Sequence, residues 1–205
     1  MWNIKNTGTN IPDGIVGLPG CDMNMEQAWD TTAGNPNVLI SITDTGIDTN
    51  HTDLRPNLCD RTLWYDAYDN DQQPYDEYYH GTGVSGIAIA VGNNIAGMAG
   101  IAYNCRVMPV RVFGPAPHAF TTDHILAKGL NWSWVHGAAV INCSWGGCLP
   151  GSLITLAIRN AVNYGRNGKG TVVFGGSGNS DTSVIYPASM PEVIGVGGSS
   201  PCNER

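Results

Sequence analysis

Five short runs of consecutively apolar or β-branched residues constrain this chain more than any other feature: Val38–Thr43, Arg106–Phe113, Ala138–Cys143, Thr171–Phe174 and Val193–Val196. A strand wet on one face alternates apolar and polar residues, whereas an unbroken apolar run marks a strand covered on both faces. Helical patterns lie between the runs. Asn24 is placed to cap Met25–Thr31, with Gln27 at the capping-box position. Thr82–Val91 is small and apolar throughout, and Thr121 or Thr122 can start a helix carrying Ile125, Leu126, Leu130 and Trp134 at helical spacing. Ser152 can cap Leu153–Tyr164, which stops at Gly165 and Gly168. Strands alternating with helices predict an α/β fold: a mostly parallel β-sheet with helices on both faces, in three layers. No linker divides Val38 from Val196, so one domain over residues 1–205 is expected.

Composition sharpens this. The 27 glycines are roughly twice the about 14 that average usage would place in 205 residues, and they fall at the ends of the apolar runs, where tight turns need them. A net charge of −7 and the lack of a Lys/Arg cluster argue against nucleic-acid or anionic-membrane partners. No apolar run approaches the about 20 residues of a membrane span. Met1-Trp2-Asn3-Ile4-Lys5 has neither the basic segment nor the apolar stretch of a signal peptide.

In open α/β sheets ligands bind beyond the carboxyl ends of the strands. Three such ends are rich in glycine and small polar residues: Thr43-Asp44-Thr45-Gly46, Cys143-Ser144-Trp145-Gly146-Gly147 and Gly175-Gly176-Ser177-Gly178-Asn179. Taken alone, Asp44 reads equally as a turn aspartate bonding its own backbone. Asp44-Thr45-Gly46 also suits an aspartic protease, but two carboxylates must then share a proton, and Asp181-Thr182-Ser183 lacks the glycine of a second copy. Gly175-Gly176-Ser177-Gly178 is not a dinucleotide fingerprint, and no Walker lysine follows it. His80 opens the segment Gly81-Thr82-Gly83-Val84-Ser85-Gly86, where a helix dipole opposes protonation and favours a neutral base. His51, His118, His124 and His136 have no comparable setting.

Together, Ile42-Thr43-Asp44-Thr45-Gly46-Ile47-Asp48, His51-Thr52-Asp53-Leu54 and His80-Gly81-Thr82-Gly83-Val84-Ser85-Gly86 resemble the aspartate and histidine boxes of the subtilisin-like serine proteases (subtilases). Ile141-Asn142-Cys143-Ser144-Trp145-Gly146-Gly147 is similar to their substrate-binding strand, Gly178-Asn179 to the oxyanion-hole asparagine, and Tyr186-Pro187-Ala188 with Val193-Ile194 to the segment that follows. Trp2–Gly8 is similar to the start of many mature bacterial catalytic domains. The resemblance implies a serine endopeptidase in which Asp44 orients His80, His80 acts as general base, and Asn179 donates to the oxyanion. It further implies that Ser144, Trp145 and Gly146 pair with an extended polypeptide substrate, while Gly175, Gly176 and Gly178 leave room for its P1 side chain. Gly83 stands where the family often has a second, non-catalytic histidine.

The family's nucleophile lies in a Gly-Thr-Ser-Met-Ala segment, and residues 1–205 contain none. Ser189-Met190 belongs to the Tyr-Pro-Ala region and lacks the preceding Gly-Thr. The expectation is therefore a partial catalytic domain, incomplete at its C-terminus and inactive by itself, with the serine beyond residue 205. The competing expectation is a non-catalytic, peptide-binding relic of the fold.

Trp64–Gln73 carries closely spaced oxygen ligands without an EF-hand pattern, and by composition it reads equally as a solvated acidic loop. Its resemblance to a subtilase calcium loop implies Ca²⁺ at Asp66, Asp69 and Asp71, and a second family site would use Asp53 and Asn94. Cysteines 21, 59, 105, 143, 148 and 202 lack zinc spacing and allow 15 pairings. On a protease expected to be secreted, cell-surface or periplasmic, their even number favours some disulfides. A propeptide and a monomeric state are expected from the same resemblance.

Overall fold

Residues 39 to 44 illustrate how an unbroken apolar run is used. In the computed structural model, which describes residues 1–9, 11 and 14–202, Leu39–Asp44 forms β1 at the centre of a six-stranded sheet. Ile40 and Ile42 face one side, and Ser41 and Thr43 face the other. Both sides are covered, and the polar side is satisfied: Ser41 Oγ lies 2.7 Å from Ser133 Oγ, and Thr43 Oγ1 donates to the Asn142 carbonyl at 2.8 Å.

The other strands are β2 (Tyr65–Asp66), β3 (Arg106–Arg111), β4 (Val140–Cys143), β5 (Val172–Gly176) and β6 (Ile194–Val196), in spatial order β2-β3-β1-β4-β5-β6. Every strand pairing among the described residues is parallel. The helices are α1 (Met25–Thr31), α2 (His80–Ile89), α3 (Asp123–Val135) and α4 (Ser152–Gly168). All five expected strands are present. The sixth, β2, is a two-residue edge pairing, too short to leave a pattern in sequence.

Helix boundaries depart from expectation for local reasons. Asn24 takes a left-handed conformation (φ 51°) and makes no side-chain cap to α1. Thr122 does cap α3, accepting from the Ile125 amide at 3.3 Å. Ser152 is the first helical residue, and Gly151 holds the cap position. Regular α4 geometry ends at Gly165 (ψ 150°), as the glycine predicted. A side chain there would collide with Thr171 Oγ1.

Two cores flank the sheet. Leu126, Leu130, Ile154 and Ile158 from α3 and α4 pack on Met108, Val110, Ile141 and Val173. On the opposite face, Ile89 and Ala90 meet Ile42, Val107, Ile47 and Leu54. Each fully buried branched side chain contributes about 1.5–3 kcal/mol of burial. Helix α2 covers only part of its face. Beyond it, Val172, Ile194 and Val196 are 39%, 50% and 51% exposed, and with Phe174 they leave an uncovered apolar surface over β5 and β6. No helix among the described residues is long and apolar enough to cross a membrane.

Candidate active site

The strand order reverses about β1: the chain runs outward to β2, returns through β3, and then crosses to β4. Asp44 ends β1 at this switch point, and it is 1% exposed. Helix α2 returns to the same place and opens with His80. Close approach depends on two glycines. Gly81 lies against the Gly46 carbonyl and the Asp44 side chain, where no Cβ fits. Gly46 has φ 112° and backs onto the Pro74 and Tyr75 carbonyls, so a side chain there is excluded twice.

Asp44 Oδ1 accepts from the Thr45 amide at 2.7 Å and lies 2.7 Å from His80 Nδ1. That contact places the proton on Nδ1 and leaves Nε2 as the basic nitrogen of a half-exposed ring. The hydrogen bond to Asp44 raises the His80 pKa above its ordinary value; partial burial opposes this, and the charges of Asp44 and Asp76 add to it. The helix-dipole argument pointed the other way. The carboxylate at contact distance outweighs the partial charge of a helix end.

Sequence reasoning missed Asp76, which is fully buried four residues before His80. Its Oδ1 accepts from Thr45 Oγ1 at 2.8 Å and from the Tyr78 and Tyr79 amides at 2.9 and 2.8 Å. Its Oδ2 accepts from the Thr82 amide and hydroxyl at 2.9 and 2.7 Å. Thr45 Oγ1 in turn accepts from the Gly81 amide at 3.0 Å. One carboxylate thus ties the residue after Asp44 to the first turn of α2. The only sequence signal was an acidic residue just before a helix start.

The other expected rim residues lie beyond β4 and β5. Ser144, Trp145 and Gly146 follow β4, past the last paired residue, Cys143. Asn142 Nδ2 donates to Ser144 Oγ at 2.8 Å, and Trp145 Nε1 donates to the Thr43 carbonyl at 2.8 Å. Gly146 fits under the Tyr186 carbonyl and Ile185, and the Gly147 amide donates to that carbonyl at 3.0 Å. Gly176 borders open space, Gly178 has φ 109°, and Gly175 is packed by Ala188 and Val193. Asn179 is exposed, three residues past the end of β5.

The expected calcium ligands form no oxygen cage. Arg111 Nη1 lies 2.7 Å from Asp66 Oδ2 and 2.9 Å from Asp69 Oδ2, so a guanidinium stands where a cation would. Asp66 Oδ1 accepts from the Tyr68 and Asp69 amides, and Asp71 accepts from Gln73. Asp53 accepts from Asn94 Nδ2 at 2.6 Å and the Met98 amide at 3.0 Å, while Asn94 Oδ1 accepts from the Ala96 amide. As arranged, a guanidinium occupies the first donor set, and no group of three His, Cys, Asp or Glu among the described residues is placed to hold a metal ion. All six cysteines are free, contrary to the disulfides expected. Burial pushes the Cys59 and Cys143 thiols up to about 12.

Sheet and dyad together define a parallel α/β protein with an acid–imidazole pair on its carboxyl rim. A model of the subtilase family matches residues 35–205, and the chain belongs to that family. It is 40% identical over 173 residues to a thermophilic serine proteinase of Bacillus sp. (strain AK1), covering 84% of this chain and 41% of that protein. Thermitase of Thermoactinomyces vulgaris is 37% identical over 171 residues, covering 83% and 57%. Human neuroendocrine convertase 2 is 34% identical over 196 residues, covering 87% and 28%. The solved structure of a psychrophilic protease, S41, superposes with a TM-score of 0.68 at 27% identity, covering 79% of this chain and 53% of that one. The chain thus spans 41% and 57% of the length of the two bacterial relatives and 28% of the convertase.

Proposed function

We propose that residues 1–205 carry the aspartate–histidine half of a serine endopeptidase centre, with the nucleophilic serine supplied by chain following residue 205. The observation that carries this reading is the 2.7 Å contact between Asp44 Oδ1 and His80 Nδ1 at the switch point of the sheet. In the reaction, the serine Oγ bonds to the scissile carbonyl carbon as its proton passes to His80 Nε2. The imidazolium, paired with Asp44, then delivers that proton to the departing amine, and water hydrolyses the acyl-enzyme by the same relay. Asn179 donates to the oxyanion; loss of the corresponding donor in subtilisin costs about 10²–10³ in kcat. Ser144, Trp145 and Gly146 pair with the extended substrate, and Gly176 and Gly178 border the space for its P1 side chain. The uncovered apolar surface over β5 and β6 supports further chain packing there.

The test is casein cleavage by the full-length protein. His80→Ala abolishes it, and retention of full activity overturns the reading. Residues 1–205 alone cleave nothing and take no fluorophosphonate label. A second reading is a peptide-binding relic of the fold, in which the Ser144–Gly146 segment binds peptide without cleavage. Peptide binding by the full-length protein without fluorophosphonate labelling would establish it.

Export, a propeptide and a monomeric state belong to the endopeptidase reading, and cell fractionation with sedimentation tests them. Calcium enters only as a stabilising ligand, which would have to draw Asp69 away from Arg111. Identical melting in calcium and in EGTA removes it.

A further inference from the structure

A cavity of about 630 Å³ lies beside the loop that leads into His80. Two 3-10 turns, Arg55–Asn57 and Arg61–Leu63, bring Arg55 and Arg61 to its wall, and Trp64, Gln72, Gln73 and Tyr75 face it as well. No aspartate or glutamate lines it, although the chain has 17 acidic and only 10 basic residues. The adjacent carboxylates are turned to their own loops: Asp48 to the Asn50 amide, Asp60 to Thr62, and Asp71 to Gln73. Among the described residues, neither arginine forms an ion pair or a side-chain hydrogen bond; Arg61 lies over the Trp64 ring, 5.9 Å from its centroid.

The wall is fastened. The Cys59 amide donates to the Val107 carbonyl of β3, Trp64 Nε1 donates to the Cys59 carbonyl at 3.1 Å, and Gln72 Nε2 donates to the Thr62 carbonyl at 3.3 Å. Two exposed guanidinium forks without an ion-pair or hydrogen-bond partner among the described residues are matched by carboxylates, and an indole and a phenol beside them offer apolar walls. Side-chain amides supply donors and acceptors for a peptide backbone. The volume lies within the about 300–1,000 Å³ of ordinary ligand sites.

We propose that this cavity binds a carboxylate-rich segment of a polypeptide, as a second peptide site beside the Asp44–His80 pair. The proposal does not depend on cleavage, because binding is read without turnover. The experiment is calorimetric titration of the full-length protein carrying His80→Ala with three probes: an N-acetylated, C-amidated tri-glutamate peptide, its tri-glutamine counterpart, and inorganic phosphate. The tri-glutamate peptide binds at least about tenfold more tightly than either other probe, the equivalent of one charge-assisted hydrogen bond. Arg55→Ala with Arg61→Ala weakens it by at least the same factor at unchanged circular dichroism, while Lys169→Ala, which removes an exposed charge elsewhere, leaves it unaltered. No binding of tri-glutamate, equal binding of the glutamine peptide, equal binding of phosphate, or binding that survives the double substitution overturns the proposal.

Discussion

Gly81 sits against the carbonyl of Gly46 with no room for a Cβ between them, and this contact seats the first turn of α2 on the end of β1. Gly81→Ala therefore forces the helix away from Asp44 and lengthens the bond to His80. Overpacking of this kind costs about 1–3 kcal/mol. Thermal denaturation reads the loss, and the His80 titration moves back toward that of an unpaired imidazole.

His80 itself titrates above 6.5, because its partner carboxylate stabilises the charged ring. A pKa raised in the folded state contributes stability that is present below the unfolded pKa and lost as pH rises through the folded one. A base must be neutral, so the acid limb of kcat/KM in the full-length protein also lies above 6.5. Proton NMR of the His80 ring measures the value directly. Asp44→Asn lowers it, and an unchanged titration would contradict the pairing.

Asp76 holds five hydrogen bonds between Thr45 and the start of α2. Asp76→Ala leaves buried donors unpaired at about 1–3 kcal/mol each, so unfolding occurs at markedly lower urea. Amide exchange over residues 78–82 accelerates more than exchange in α3, and Asp76→Asn restores part of the protection.

Arg111, 5% exposed, neutralises Asp66 and Asp69. Arg111→Met strands the Asp66 carboxylate in the interior and costs about 3–5 kcal/mol by urea denaturation. Arg111→Lys recovers only part of this, because one ammonium can replace the single Nη1 that meets both carboxylates but not the Nε that donates to the Phe113 carbonyl at 3.0 Å.

The Cys143 thiol, buried under Thr43 with its pKa pushed up to about 12, stays unalkylated by iodoacetamide at pH 8 in the native protein. It reacts once the chain is unfolded. Mass spectrometry of the native and denatured reactions distinguishes the two.

Legibility followed interaction range. The strands were readable because Ile40, Ile42, Val107 and Ile141 declare burial locally, through runs that need no partner to be recognised. Asp44 and His80 were readable as strand-end and helix-start residues and through the family resemblance. Asp76 was not, because a carboxylate that accepts five hydrogen bonds looks in sequence like any solvated loop aspartate. The loop from Asp66 to Gln73 read by composition equally as a solvated acidic loop or a cation site, and the family resemblance pointed to calcium. Arg111, which neutralises two of its acids, lies about 40 residues further on.

Sequence alone determined the layer order and the parallel sheet, since these rest on periodicity, turn chemistry and residue type, and the resemblance of its motifs to the subtilases pointed to Asp44 and His80 as a pair. Tertiary structure alone decided the charge state favoured at His80, the anchoring of α2 by Asp76, the pairing of Arg111 with the acidic loop, and the gathering of Arg55 and Arg61 around one cavity. The physical reason is that electrostatic and hydrogen-bond energies depend on distance and burial through space. Residues 36 apart along the chain meet at 2.7 Å only after the sheet has folded.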